Sequence, residues 1–253
     1  MKSFAVPAEN YDRFMGVHSR QLAPQLADLA QLAPGDRALD VGCGPGALTA
    51  ELVARLGAVS VAAVDPSESF VAAAHARHPD VDVRRASAEA LPFTDHEFDA
   101  ALAQLVVHFM TDPVAGLREM ARVTRRGRTV AACVWDHAGE RTPVSTFFRA
   151  ARHLGLGVRD ESALAGARDG HLVELFKASG LRDVEGTVLM SRVDYSSFDD
   201  WWKPFSFGVG PAGAAYVALS PDQKARLRER CEALLPPAPF EMASVAWAAR
   251  GIV

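Results

Sequence analysis

The sequence predicts an α/β chain built on a parallel, doubly wound sheet, and three observations predict it. Apolar runs of strand length recur at 38–41, 60–64, 81–85, 98–103 and 129–135. Stretches of helical periodicity separate them, such as Leu48, Leu52 and Leu56, spaced four apart. Turn formers punctuate the joins at Pro34-Gly35, Gly57 and His78-Pro79-Asp80. Strands alternating with helices of this length bury a parallel sheet between helical layers.

Composition sets the outer bounds. A chain of 253 residues, 49% hydrophobic and 23% charged, is long enough for one large domain with a substantial core. Its net charge of −4 gives no electrostatic footprint for nucleic acid or an anionic membrane. Cys43, Cys133 and Cys231 are odd in number and far apart, without the ligand spacing of a metal knuckle. That predicts a reduced, cytoplasmic protein with no structural zinc. No run reaches the ~18–20 apolar residues of a membrane span.

In chain order, residues 1–7 read as a loose arm, followed by a short helical piece with Tyr11, Phe14 and Met15 on one side. A second helix spans His18 to Leu32. The apolar run at 38–41 breaks into Gly42, Gly44 and Gly46 and resumes as a helix that Gly57 ends. Ser60–Val64 is the second strand, Ser67–Arg77 a helix, Val81–Arg85 the third strand and Phe98–Ala103 the fourth. Asp112-Pro113 starts a helix that places Val114, Leu117 and Ala121 inward and stops at Arg125-Arg126-Gly127. The basic knot of Arg125, Arg126 and Arg128 is read as cations at that helix's negative end. Thr129–Trp135 is the fifth strand. Beyond it lie a turn-rich stretch at 137–166 with a helical piece near 145–153, a helix at 171–179 and a strand at 184–193. Ser220-Pro221-Asp222-Gln223 opens a helix with a capping box, and 240–249 alternates as a final strand.

The glycine turn carries the chemistry. Glycine lets the backbone turn tightly and approach a ligand closely, and the helix that follows offers free amides. Gly42, Gly44 and Ala47 satisfy G-x-G-x-x-A, so a nicotinamide or flavin enzyme is one reading. Asp40 opposes it, because an acid at the strand's end repels a pyrophosphate and attracts an ammonium. Asp65 ends the second strand 23 residues past Gly42, where a carboxylate suits two ribose hydroxyls. Asp40, Asp65, Ser87 and Gln104 all fall at carboxyl ends of strands, the edge at which open parallel sheets bind ligands.

The line D-V-G-C-G-P-G-A-L-T resembles the first motif of class I S-adenosylmethionine-dependent methyltransferases. The stretch A-S-A-E-A-L-P-F resembles that family's segment before the fourth strand, and R-V-T-R-R-G-R-T-V its segment before the fifth. The resemblance implies a Rossmann-like sheet of seven strands with an antiparallel last strand. It also implies S-adenosylmethionine as cofactor, held by Asp40, Gly42, Gly44, Gly46, Asp65 and Pro66, with Ser87, Ala88 and Glu89 at the adenine and Gln104 nearby. Ser87 stands where the family usually has Asp, which predicts a weaker adenine contact. Y-D-R-F-M-G before the loop is similar to a helix that covers the cofactor in one subfamily, which would put Tyr11 near the sulfonium.

The expected organisation is a helical cover over 1–34, a cofactor-binding core over 35–136, lid insertions with a helix and sixth strand over 137–219, and a last helix and strand over 220–253. Seven of the twenty aromatics fall between Tyr195 and Tyr216, read as a wall over a small-molecule acceptor formed by Trp201, Trp202 and Phe205. His108, four residues past Gln104, is the expected base, with His137 its nearest rival. The resulting reading is methyl transfer to a small molecule; a nicotinamide oxidoreductase and a non-enzymatic S-adenosylmethionine-binding module are the alternatives.

Overall fold

The computed structural model describes residues 7–253; the arm expected over the first residues lies outside them, apart from Pro7. The chain opens with α1 (Ala8–Tyr11), a π-helical turn (Asp12–Gly16) and α2 (Val17–Leu29). The central alternation is β1 (Ala38–Val41), α3 (Ala47–Leu56), β2 (Val61–Asp65), α4 (Glu68–Arg77), β3 (Asp82–Arg85), β4 (Phe98–Gln104), α5 (Pro113–Val123) and β5 (Thr124–Trp135). Then come α6 (Ser145–His153), α7 (His171–Ala178), β6 (Arg182–Tyr195), α8 (Phe198–Trp202), α9 (Gly210–Ala218), α10 (Pro221–Leu234) and β7 (Phe240–Ile252).

The strands form one seven-stranded sheet in the order β3-β2-β1-β4-β5-β7-β6. Pairs from β3 to β5 are parallel, whereas β7 runs antiparallel to both β5 and β6. The order reverses at β1, which lies between β2 and β4, and this switch point opens a crevice at the strands' carboxyl ends. The central strands β1, β2 and β4 are buried along their whole length, which is why they read as continuous apolar runs.

Two cores sandwich the sheet. One joins Leu22, Leu26, Leu48 and Leu52 of α2 and α3 to one sheet face, and the other joins Leu117, Met120, Leu172 and Phe176 of α5 and α7 to the opposite face. A third core stands apart from both: Phe14, Phe147, Phe148, Trp201, Trp202, Phe205, Leu227, Cys231 and Phe240. At the outer edge, Gln25 donates to the Met190 carbonyl and accepts from the Met190 amide, and Gln21 does the same with Arg192.

Several elements run longer than periodicity predicts. β5 begins at Thr124, which pairs in parallel with Phe98 of β4, while β6 spans Arg182–Tyr195 and β7 reaches Ile252 because their antiparallel pairing extends regularity into polar residues. The basic knot has a different cause from the one expected. Arg125 and Arg128 lie on β5 and pair with Asp99 at 2.6 and 3.0 Å, and Arg128 reaches Asp36 at 2.9 Å. Burial pushes the Asp99 carboxyl up, but the Arg37 amide and the two guanidiniums hold it below its ordinary value.

Candidate active site

A cavity of about 780 Å³ occupies the crevice beyond the carboxyl ends of the central strands, within the size range of small-molecule sites. One side is lined by Gly42, Gly44, Asp65, Pro66, Ser87, Ala88 and Glu89, and the other by Phe14, His108, Trp135, His137, Val144 and Glu161. Tyr11 and Gln104 also border it.

The glycine loop is a tight platform whose amides turn inward. Gly42 and Cys43 both donate to the Val64 carbonyl, at 2.8 and 2.9 Å, Gly44 donates to Asp65 Oδ2, and Gly46 to the Cys43 carbonyl. Gly42 sits at φ 74°, and a Cβ there would lie 2.4 Å from Val106 Cγ2. Only glycine combines that conformation with that close approach. Of the loop, Gly42 and Gly44 reach the cavity wall, whereas Gly46 and the first turn of α3 do not. A pyrophosphate seated on a helix start would find those amides spent or out of reach.

Asp65 is 6% exposed, with Oδ2 accepting from Gly44 N at 2.9 Å and Oδ1 from Ser67 N at 2.8 Å. Burial raises its pKa while the two backbone donors oppose the shift. Each oxygen keeps a lone pair for a hydroxyl. Asp40 lies elsewhere than expected. Its carboxylate is 1% exposed and off the cavity wall, with Oδ2 accepting from Thr49 Oγ1 at 2.6 Å and Oδ1 without a partner in the protein. Burial raises its pKa to about 7, against the Thr49 bond. Asp40 ties β1 to α3 beneath the loop.

Along the third strand's end, Glu89 accepts from the Thr111 amide at 2.7 Å, so it anchors the segment that carries His108. Tyr11 packs edge-on against Phe70 with centroids 5.4 Å apart, and Phe70 joins it on the wall. Gln104 donates to the Ser19 carbonyl at 3.1 Å, which ties the end of β4 to α2, while its Oε1 has no partner in the protein. Leu105 next to it adopts φ 61°, a left-handed conformation costly for a side chain of that shape, and turns the chain across the strand ends.

His108 is 5% exposed and its Nδ1 has no partner in the protein. Burial first, and the neighbouring His137 second, hold its pKa well below the ordinary histidine value. Trp135 Nε1 and His137 Nε2 are likewise buried and unpartnered. With Gln104 Oε1, four such polar atoms therefore sit on residues that line the cavity, and polar atoms in that state mark a surface shaped for something else to bond. Glu161, also on this wall, stands in a turn-rich stretch with no sequence signal.

The expected acceptor wall is corrected. Trp201, Trp202 and Phe205 are 2%, 6% and 0% exposed and are absent from the cavity's lining. Phe205 stacks on Phe147 at 4.8 Å and meets Phe14 edge-on at 5.0 Å, and Trp201 Nε1 donates to the Pro143 carbonyl at 3.3 Å. They fill the third core. From that insertion the wall takes Val209, Gly210, Pro211 and Ala212 at the start of α9.

Comparison with known proteins agrees with this geometry. The family described as "Methyltransferase domain" matches residues 39–132. A demethylmenaquinone methyltransferase of Mycobacterium sp. (strain KMS) is 43% identical over 102 residues, covering 40% of this chain and 43% of that protein. An uncharacterised protein of Mycobacterium tuberculosis is 30% identical over 205 residues, covering 78% of this chain and 73% of its own. This chain belongs to the class I S-adenosylmethionine-dependent methyltransferases.

The chain spans less than half the length of the demethylmenaquinone methyltransferases it matches. Its fold is also that of the YcgJ protein of Bacillus subtilis, with a TM-score of 0.62 at 19% identity, covering 91% of this chain and 97% of that one. No helix among the described residues is long and apolar enough to cross a membrane.

Proposed function

We propose that this protein transfers the methyl group of S-adenosylmethionine to a small-molecule acceptor bound in the same cavity. The observation that carries the reading is the cavity's two-sided lining: a glycine platform with a ribose-suited carboxylate on one side, and unpartnered polar atoms set among apolar side chains on the other.

The cofactor side fits the group it would hold. Gly42 and Gly44 present bare backbone to the cavity, and Asp65 offers two fixed acceptor oxygens. Ser87, Ala88 and Glu89 line the cavity where the adenine would lie, Pro66 follows Asp65, and Tyr11 lines the cavity from α1. Asp40 acts from below, as the brace of the loop, and Gly46 supplies its left-handed last turn at φ 97°. When bound, S-adenosylmethionine supplies a methyl already activated by its sulfonium. The protein's part is to align the nucleophile and exclude water, and such positioning is worth about 7–11 kcal/mol.

On the acceptor side, Phe14, Val144, Val209 and Ala212 offer apolar contact, while Gln104 Oε1, Trp135 Nε1 and His108 Nδ1 offer polar contact. A small molecule with an apolar body and one polar edge suits that mixture. The relatives named for demethylmenaquinone point to an acceptor of the same general kind. Neutral His108 keeps one ring lone pair, available either to the acceptor or to an ion that holds the acceptor.

Mass spectrometry of ligand copurified with the protein tests the assignment, with calorimetry of S-adenosylhomocysteine and NADH beside it. Binding of S-adenosylhomocysteine alone is expected. Binding of NADH alone would sink the proposal.

A further inference from the structure

We propose that His108, His137 and Glu161 form a binding site for one divalent transition-metal ion of the zinc type on the acceptor wall of the cavity. The three residues come from three separate segments, all are buried, and one ligand atom from each lies within 4.8 Å of the others. His137 Nδ1 stands 3.9 Å from Glu161 Oε2, and the two imidazole centroids are 5.6 Å apart. Metal–ligand bonds of about 2.0–2.1 Å put the donors of a tetrahedral site roughly 3.3 Å apart. Small side-chain rotations cover the difference.

The surroundings support a built site. His108 Nδ1 is buried without a partner in the protein, and His137 Nδ1, the ring nitrogen that faces Glu161, makes no hydrogen bond among the described residues, so each ring keeps a nitrogen free to ligate. The one ion-pair neighbour of the Glu161 carboxylate among the described residues is His137. Three polar groups hidden from water without adequate partners are costly, and a shared cation removes the cost at once. The acids beside two of the ligands are tied down independently. Asp136 accepts from Gly139 N and from Trp247 Nε1, each at 2.9 Å, and pairs with Arg141. Asp160 accepts from Ser162 Oγ at 2.6 Å and pairs with Arg152. Anchoring on both segments fixes the donors, as ligands held by an outer layer of bonds require.

Two imidazoles and one carboxylate select a borderline ion over magnesium or calcium, which prefer oxygen alone. Three protein ligands leave a coordination position open, and all three residues line the cavity. This deepens the methyl-transfer reading and rests on it in one respect only: an acceptor bearing an oxygen, as a hydroxyl or carbonyl, would take the open position and be held toward the cofactor side.

The test is titration of Co²⁺ into chelator-treated full-length protein, read by visible absorption and by calorimetry, with Zn²⁺ as competitor. One Co²⁺ per chain, displaced by Zn²⁺, is the expected result. Glu161→Gln keeps the side chain's shape and should weaken Co²⁺ at least ~10-fold, since even outer partners of metal ligands matter by 10–100-fold. His137→Ala should do the same, and S-adenosylhomocysteine affinity should stay within about threefold in Glu161→Gln. Wild-type protein that takes up no Co²⁺, or a Glu161→Gln variant that binds it as tightly, overturns the site. Co²⁺ uptake without any S-adenosylhomocysteine binding would remove the methyl-transfer reading and leave the metal site standing.

Discussion

The Gly44 amide donates to Asp65 Oδ2 at 2.9 Å, so the carboxylate that ends β2 clasps the glycine loop that ends β1. One side chain thus fixes the shape of the platform and presents its remaining lone pairs to the cavity.

Replacing Asp65 with Ala should therefore act twice. Each charge-assisted bond lost to the cofactor costs about 1.5–3 kcal/mol, or roughly 10- to 150-fold in Kd. The freed amides of Gly44 and Ser67 should also lower the thermal midpoint. Calorimetry with S-adenosylhomocysteine, read beside a melting curve, checks both; unchanged affinity would take Asp65 out of the site.

Gly42→Ala should destabilise the protein by roughly 2–4 kcal/mol, from a strained positive φ and overlap with Val106. Adding Val106→Ala removes the overlap with both Cγ atoms, leaving the Cβ contact at 3.0 Å and the strain. Urea midpoints for the single and double variants should therefore show partial recovery. Simple additivity would mean that the Val106 contact is not the constraint.

Trp201→Ala and Trp202→Ala should behave as core truncations. A loss of about 3–5 kcal/mol in stability is expected, with S-adenosylhomocysteine affinity within about threefold of wild type. Normal urea midpoints in these variants would contradict the packing seen around Phe205 and Phe147.

His18 gives stability a pH dependence of predictable sign. It is fully buried and hydrogen-bonded to Ser191 Oγ at 2.9 Å, and burial lowers its pKa from 6.5 to about 4. Between those values the unfolded chain binds a proton that the folded one refuses, so stability present above pH 6.5 is lost as pH falls toward 4. The loss is on the order of 3 kcal/mol. In His18→Gln, the slope of unfolding free energy against pH should flatten by about one proton across that window.

The sheet was legible because its signals are local. Apolar runs such as Val61–Val64 and Ala100–Ala103 can be buried only one way, and the turns between them name themselves. The segment carrying Asp65 and the glycines followed from the same reading. The aromatic insertion was not legible, because aromatic density announces burial without saying against what. Phe14, Phe147 and Phe240 decide the matter from three distant places. Asp40 misled for a related reason: its position at a strand end was plain, but its bond to Thr49 turns the carboxylate under the loop. Glu161 carried no signal at all, since only folding brings its turn-rich stretch to His137 and His108. Arg125 and Arg128 likewise depend on Asp99 and Asp36, far away in sequence.

The paired amides of Gln21 and Gln25 along β6 have a consequence for how these molecules behave in company. An unguarded sheet border offers the next chain a row of unmet donors and acceptors, and Val188 and Met190, 45% and 39% exposed, would make pairing there more favourable. Two glutamine side chains stand in for that neighbouring strand and occupy the outward amides and carbonyls of Met190 and Arg192. The helix α2 thereby keeps that stretch of the border from recruiting another copy.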